Sequence, residues 1–165
     1  MKFLKDFILF LVIILLQVSI FNNFLFFGYM NPYLYVYWLL SRNNEDQRAL
    51  YLILAFVLGA SIDIFEGSGG MHALATTFIA FIQPYLWRLV HKHGEEDEEA
   101  PWLQQLSLDR RLVFLILALF LHHLVLFTAE NFGFNNVGIL LKRSLYSSIF
   151  SFIFVGIYQF WKARR

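Results

Sequence analysis

The sequence predicts an all-α protein, a polytopic bundle of six membrane-spanning helices forming one integral membrane domain over residues 1–165. Three observations predict it. Of the 165 residues, 59% are hydrophobic and 15% charged, against about half and about a quarter in a typical soluble domain. Such a chain cannot cover its apolar surface with polar groups in water. Long apolar runs recur at roughly the 17–25 residues that cross a hydrocarbon core. The lysines and arginines sort to one side of the resulting bundle. A net charge of +1 gives no basic field for nucleic acid. The absence of cysteine excludes disulfides and thiolate chemistry.

The first span is Phe7–Phe21, apolar except for Gln17 and Ser19 and extendable to Phe27. It follows Lys2 and Lys5, as a signal peptide would. No small-residue cleavage site follows it, so it reads as a retained helix. The second is the shortest. Asn31 as cap and Pro32 in the first turn open it, the run continues to Leu40, and Ser41-Arg42-Asn43-Asn44 ends it. To cross, it needs Phe24–Met30 or a locally thinned bilayer. The third span is Ala49–Ile64, apolar up to Asp63. The fourth is Met71–Val90, with Pro84 inside and Arg88 near its end. The fifth is Leu112–Ala129, holding His122 and His123. The sixth is Ser144–Trp161, with a start as early as Val137. Between the fourth and fifth, His91–Asp109 carries the acidic block Glu95-Glu96-Asp97-Glu98-Glu99, which reads as a solvated tether or, more sharply, a partner contact. Pro101–Leu106 follows, with Trp102 expected at the headgroup level.

Six spans sort the charges. Of 13 Lys and Arg, all but Lys142 and Arg143 fall on one side. The positive-inside rule makes that side cytoplasmic, with both termini on it. Five spans would scatter the same residues over both faces.

Polar and small residues mark candidate contact faces. Ala55, Gly59, Asp63 and Gly67 recur every four residues along the third span, and His72, Thr76, Ala80 and Pro84 along the fourth. Small residues at this spacing let helix backbones approach closely. Asp63 is costly in lipid and should face the bundle, a cavity or the outer interface, or cap the next turn or helix. Glu66-Gly67-Ser68-Gly69-Gly70 reads as a flexible outer turn. Ser144, Ser147, Ser148 and Ser151 form one stripe on the sixth span, suited to packing within the chain or against a partner. Lys142 and Arg143 can snorkel to the surface or neutralise Asp63, Glu66 or Glu130. His122 and His123 point about 100° apart on a helix, so they do not share a metal, and packed or hydrogen-bonded histidines are expected. No phosphate loop, dinucleotide fingerprint, zinc motif or nucleophile elbow is present. The expectation is a non-enzymatic protein without metal or cofactor.

The stretch Gly59-Ala60-Ser61-Ile62-Asp63-Ile64-Phe65-Glu66-Gly67-Ser68-Gly69-Gly70-Met71-His72-Ala73-Leu74 resembles the signature region of the rod shape-determining protein MreD family. Asn31-Pro32-Tyr33-Leu34 is similar to the segment opening that family's second helix. The turn between Asp63 and His72 is about a residue shorter than the commonest form. The resemblance implies a bacterial inner-membrane scaffold of the cell-elongation machinery, with an MreC-like partner and, through it, MreB and the peptidoglycan-synthesis enzymes. It also implies a fold similar to the substrate-binding subunits of energy-coupling-factor transporters. A small-molecule- or lipid-binding transport subunit is therefore the alternative. Self-association into a homo-oligomer is compatible with the same small-residue faces.

Overall fold

The computed structural model describes residues 2–23, 31–42, 47–91, 102–132 and 136–163. The acidic block and Phe24–Met30 lie outside the described residues. Among the described residues six α-helices follow in order: α1 Lys2–Ser19, α2 Tyr35–Leu40, α3 Arg48–Glu66, α4 Met71–Val90, α5 Leu108–Glu130 and α6 Val137–Ala163. Short 3-10 turns cover Phe21–Asn23 and Trp102–Gln105. Helices α3 to α6 pack in chain order, each on the next, and α1 closes onto α3 and α2.

Among the described residues, four helices are long and apolar enough to cross a membrane: Arg48–Glu66, Met71–Val90, Leu108–Glu130 and the Val137–Ile157 part of α6. The apolar part of α1, Asp6–Ser19, is shorter. The exterior is what lipid requires. Phe7, Ile8, Leu15, Ile53, Phe56, Ile64, Leu89, Ile139 and Ile157 are all half-exposed or more. In water such a surface would be an aggregation site; in a bilayer it is the solvated face.

The second segment departs from expectation. Asn31 does not cap a helix. The helix begins at Tyr35, and its cap position, Leu34, makes no side-chain capping bond. Residues 31–33 run non-helically, and Leu34, already in helical dihedrals, leads into α2. Tyr33, Tyr35, Val36, Trp38, Leu39 and Leu40 are all buried. This strap lies inside the bundle, against α4 and α5. At one end Tyr35 meets His72, and at the other the Arg42 carbonyl meets Gln83. Those partners are eleven residues apart on α4, about 16 Å along its axis.

Unwound backbone buried among helices must find partners inside the protein. Here side chains of four other helices supply them. Gln17 of α1 donates from Nε2 to the Pro32 carbonyl at 3.1 Å and accepts from Leu34 N at 2.9 Å. Ser147 and Ser151 of α6 accept from Asn31 N at 3.3 Å and Tyr33 N at 2.9 Å. Tyr51 of α3 donates to the Leu39 carbonyl at 2.9 Å, and its hydroxyl also meets Gln83 Oε1. Gln83 of α4 donates to the Arg42 carbonyl at 2.9 Å. Gln17→Leu keeps the volume but strands a buried carbonyl and a buried amide. With each unsatisfied group costing about 1–3 kcal/mol, the detergent-solubilised variant should melt well below the parent. An unchanged melting curve would show that the strap is held without Gln17.

Trp102 is turned into the protein. It is 8% exposed and stacks on Trp87 with ring centroids 3.5 Å apart. Leu103 and Leu106 are buried with it. Burial against the bundle takes the apolar surface of these three residues out of water.

Candidate functional site

The α3–turn–α4 joint is built by Asp63. Its Oδ1 accepts from Ser68 Oγ at 2.5 Å and from His72 N at 2.9 Å, and its Oδ2 accepts from Ala73 N at 2.8 Å. A carboxylate from the last turn of α3 thus satisfies two first-turn amides of α4. Those amides have no intrahelical partner, and the helix dipole favours an anion there. The Asp63 carbonyl also accepts from Gly67 N and Ser68 N. The expected flexible turn is therefore pinned at both ends. Gly67 and Gly70 take φ of 67° and 97°, a left-handed region that excludes most side chains.

Gly59 is the crossing point of α3 and α4. A Cβ there would fall 2.5 Å from Ala73 Cα and Ala73 N and would also strike Thr76 Oγ1. Ala55, Thr76 and Ala80 are fully buried, and Thr76 returns its hydroxyl to the His72 carbonyl at 2.8 Å. These faces, suited on sequence to packing within the chain or against a partner, meet each other inside the chain. The serine stripe is likewise turned inward. Ser147 and Ser151 hold the strap, Ser148 donates to the Ser144 carbonyl, and Ser144 Oγ is buried without a partner among the described residues. Gly67, at the turn, is exposed.

Around Tyr33 and Tyr35 the joint meets α5. Tyr35 Oη lies 2.7 Å from His72 Nδ1 and 3.1 Å from His122 Nε2. His72 Nε2 lies 2.6 Å from Glu66 Oε2. The Tyr33 ring sits 5.2 Å from that of His72 and 5.3 Å from that of His123. His123 is fully accounted for. Its Nδ1 donates to the Leu119 carbonyl at 2.7 Å, and its Nε2 accepts from Ser151 Oγ at 3.2 Å. The two adjacent histidines thus serve different neighbours. No group of three metal-ligating side chains occurs among the described residues.

Arg143 pairs with Glu130 at 2.6 Å and lies over the Phe127 ring. Of the three acidic partners expected for Lys142 and Arg143, Glu130 makes such a pair, with Arg143; Asp63 serves the α4 amides and Glu66 meets His72. Lys142 is exposed. Gln17, Tyr33, Tyr35, Tyr51 and Gln83 carry the interior polar network. In the sequence, their one signal was polarity within apolar runs.

Beside the joint, α3 and α4 leave an open groove of about 560 Å³, lined by Phe56, Ala60, Asp63, Ile64, Gly69, Gly70, Ala73, Leu74 and Thr77. Its lining mixes small residues with the bulky apolar Phe56, Ile64 and Leu74. A second groove of about 300 Å³ runs between α5 and α6, lined by Ile116, Leu117, Phe120, Leu145, Ser148, Ile149 and Phe152. No family model, characterised protein or solved structure matches the chain.

Proposed function

We propose that this protein is a membrane scaffold subunit of the bacterial cell-elongation machinery, similar to the MreD family, holding the single span of an MreC-like partner. Through that partner it supports MreB-directed peptidoglycan synthesis and rod shape. The observation that carries the reading is the α3–α4 groove. Its small lining residues, Ala60, Gly69, Gly70 and Ala73, permit close approach of another helix backbone, and the joint beside it is fixed by Asp63. The signature-like segment Gly59–Leu74 supplies most of its lining. The chain sits in the inner membrane with six crossings, the strap and α2 making the second, and both termini in the cytoplasm. The charge distribution supports this orientation.

The test pairs topology with partner recovery. Single cysteines in this cysteine-free chain should label from outside at Ser68 and from inside at residue 164. Ala60→Phe fills the groove and should reduce co-purification of the MreC-like partner several-fold and round the cells. Ile153→Phe, on an exposed face of α6, should do neither. Equal partner recovery from both variants would remove the groove from the argument.

A second reading is a lipid- or small-molecule-binding transport subunit. The α5–α6 groove favours it, since all its lining residues but Ser148 are apolar, as an acyl chain requires. Mass spectrometry of protein purified in a mild detergent separates the two. A stoichiometric small molecule without partner protein supports transport; partner protein without one supports the scaffold.

A further inference from the structure

Four protic side chains from α3, α4, the strap and α5 form one unbroken hydrogen-bonded row: Glu66, His72, Tyr35 and His122. The Glu66 side chain is 21% exposed, while His72 and His122 are fully buried, as is Tyr35. The row therefore leads from a mouth at the end of α3 into the bundle. With the carboxylate ionised and both histidines neutral, its direction is fixed. Glu66 accepts from His72 Nε2–H, so His72 Nδ1 is an acceptor and takes the Tyr35 hydroxyl proton. The Tyr35 oxygen then accepts from His122 Nε2–H. That leaves His122 Nδ1 as a bare acceptor, buried and without a partner among the described residues.

The other charged and titratable groups packed here are engaged elsewhere. Asp63 of α3 serves the α4 amides and Glu130 of α5 pairs with Arg143 of α6. His123 of α5 lies between Leu119 and Ser151, and Tyr33 of the strap packs its ring among the histidines.

We propose that Glu66, His72, Tyr35 and His122 are one proton-binding unit, in which a single added proton reverses every hydrogen bond between His72 and His122. The steps balance. A proton joins His122 Nδ1. The His122 Nε2 proton passes to the Tyr35 oxygen, and the Tyr35 hydroxyl proton passes to His72 Nδ1. The result is a His72 imidazolium paired with the Glu66 carboxylate, a neutral Tyr35 donating to His122 Nε2, and a neutral His122 carrying its proton on Nδ1. One proton has entered and the unit has gone from one negative charge to none. Intramembrane ionisable groups in such rows are characteristic of proton pathways. Because Tyr35 belongs to the strap, the reversal is read directly by the segment threaded through the bundle.

The experiment is nitrogen NMR of ring-labelled histidine in the full chain, reconstituted in lipid nanodiscs, over about pH 5–8, the range of imidazole titration. His122 should exchange its proton between Nε2 and Nδ1 at the same midpoint at which His72 becomes doubly protonated. In Tyr35→Phe the His122 change should be lost while His72 still titrates. In Glu66→Gln both transitions should move together to lower pH. Retention of the His123 spectrum verifies that each variant is folded. Two independent midpoints, a His122 transition surviving Tyr35→Phe, or a single His122 tautomer throughout the range would each overturn the proposal. Should either variant fail to fold, the shared midpoint in the parent protein decides it alone.

Discussion

Gly59→Leu should abolish recovery of folded protein. The atoms that an added Cβ would strike include the backbone of Ala73, which cannot rotate aside as a side chain end can. Overpacking of a core typically costs about 1–3 kcal/mol, occasionally more, and here the only relief is to drive α3 from α4. That separation would also pull Asp63 from the amides it caps. Gly59→Ala should give a smaller loss in the same direction. Gly138→Leu, where an added Cβ meets nothing within 4 Å, is the control. Yield after membrane extraction and the thermal midpoint of the purified protein measure all three. A Gly59→Leu protein with the parental midpoint would mean that the α3–α4 crossing is looser than its geometry states.

The second large effect is expected at Asp63. Asp63→Leu removes the acceptor for His72 N, Ala73 N and Ser68 Oγ together. At about 1–3 kcal/mol for each buried group left unpaired, the two amides alone put the loss at roughly 2–6 kcal/mol, before the helix-dipole contribution of about 0.3–2 kcal/mol. Asp63→Asn keeps one acceptor oxygen and should fall between. Hydrogen exchange at the His72 and Ala73 amides should accelerate in Asp63→Leu more than at residues further along α4. Partner recovery should fall with stability. Normal stability and partner recovery alongside a defect in solute uptake would favour the transport reading over the scaffold.

Both positions were readable as special before any tertiary information. A glycine and an aspartate spaced four apart at the end of an apolar run, followed by a glycine-rich turn, signal close packing and a cap. The sequence did not say whether the packing face looked outward or inward. On sequence, Ala55, Thr76, Ala80 and the serine stripe suit packing within the chain or against a partner, and each is buried within the chain. Periodicity identifies a face; it does not identify what covers it. The start of the second helix was misplaced for a related reason. Asn31-Pro32 is a sound local cap, but Ser147, Ser151 and Gln17 bond the strap's backbone in place of helical partners. Local preference yielded to side chains up to 118 residues away.

What the sequence by itself determined is the solvent and the long helices. Composition demanded lipid, because too few polar groups exist to face water. The bounds of α4, Met71–Val90, follow from its own glycine-rich start and its apolar run. These are local properties, set by hydropathy and backbone propensity within a few turns. What only the tertiary structure decided is the interior. The strap crosses the bundle partly unwound, and Gln17, Tyr51, Gln83, Ser147 and Ser151 take their roles from it. Glu66, His72, Tyr35 and His122 become one row when α3, α4, α5 and the strap converge. A buried polar group must be satisfied, yet its residue type does not encode which of many donors and acceptors will be within 3 Å. That is fixed by packing, after the helices have formed.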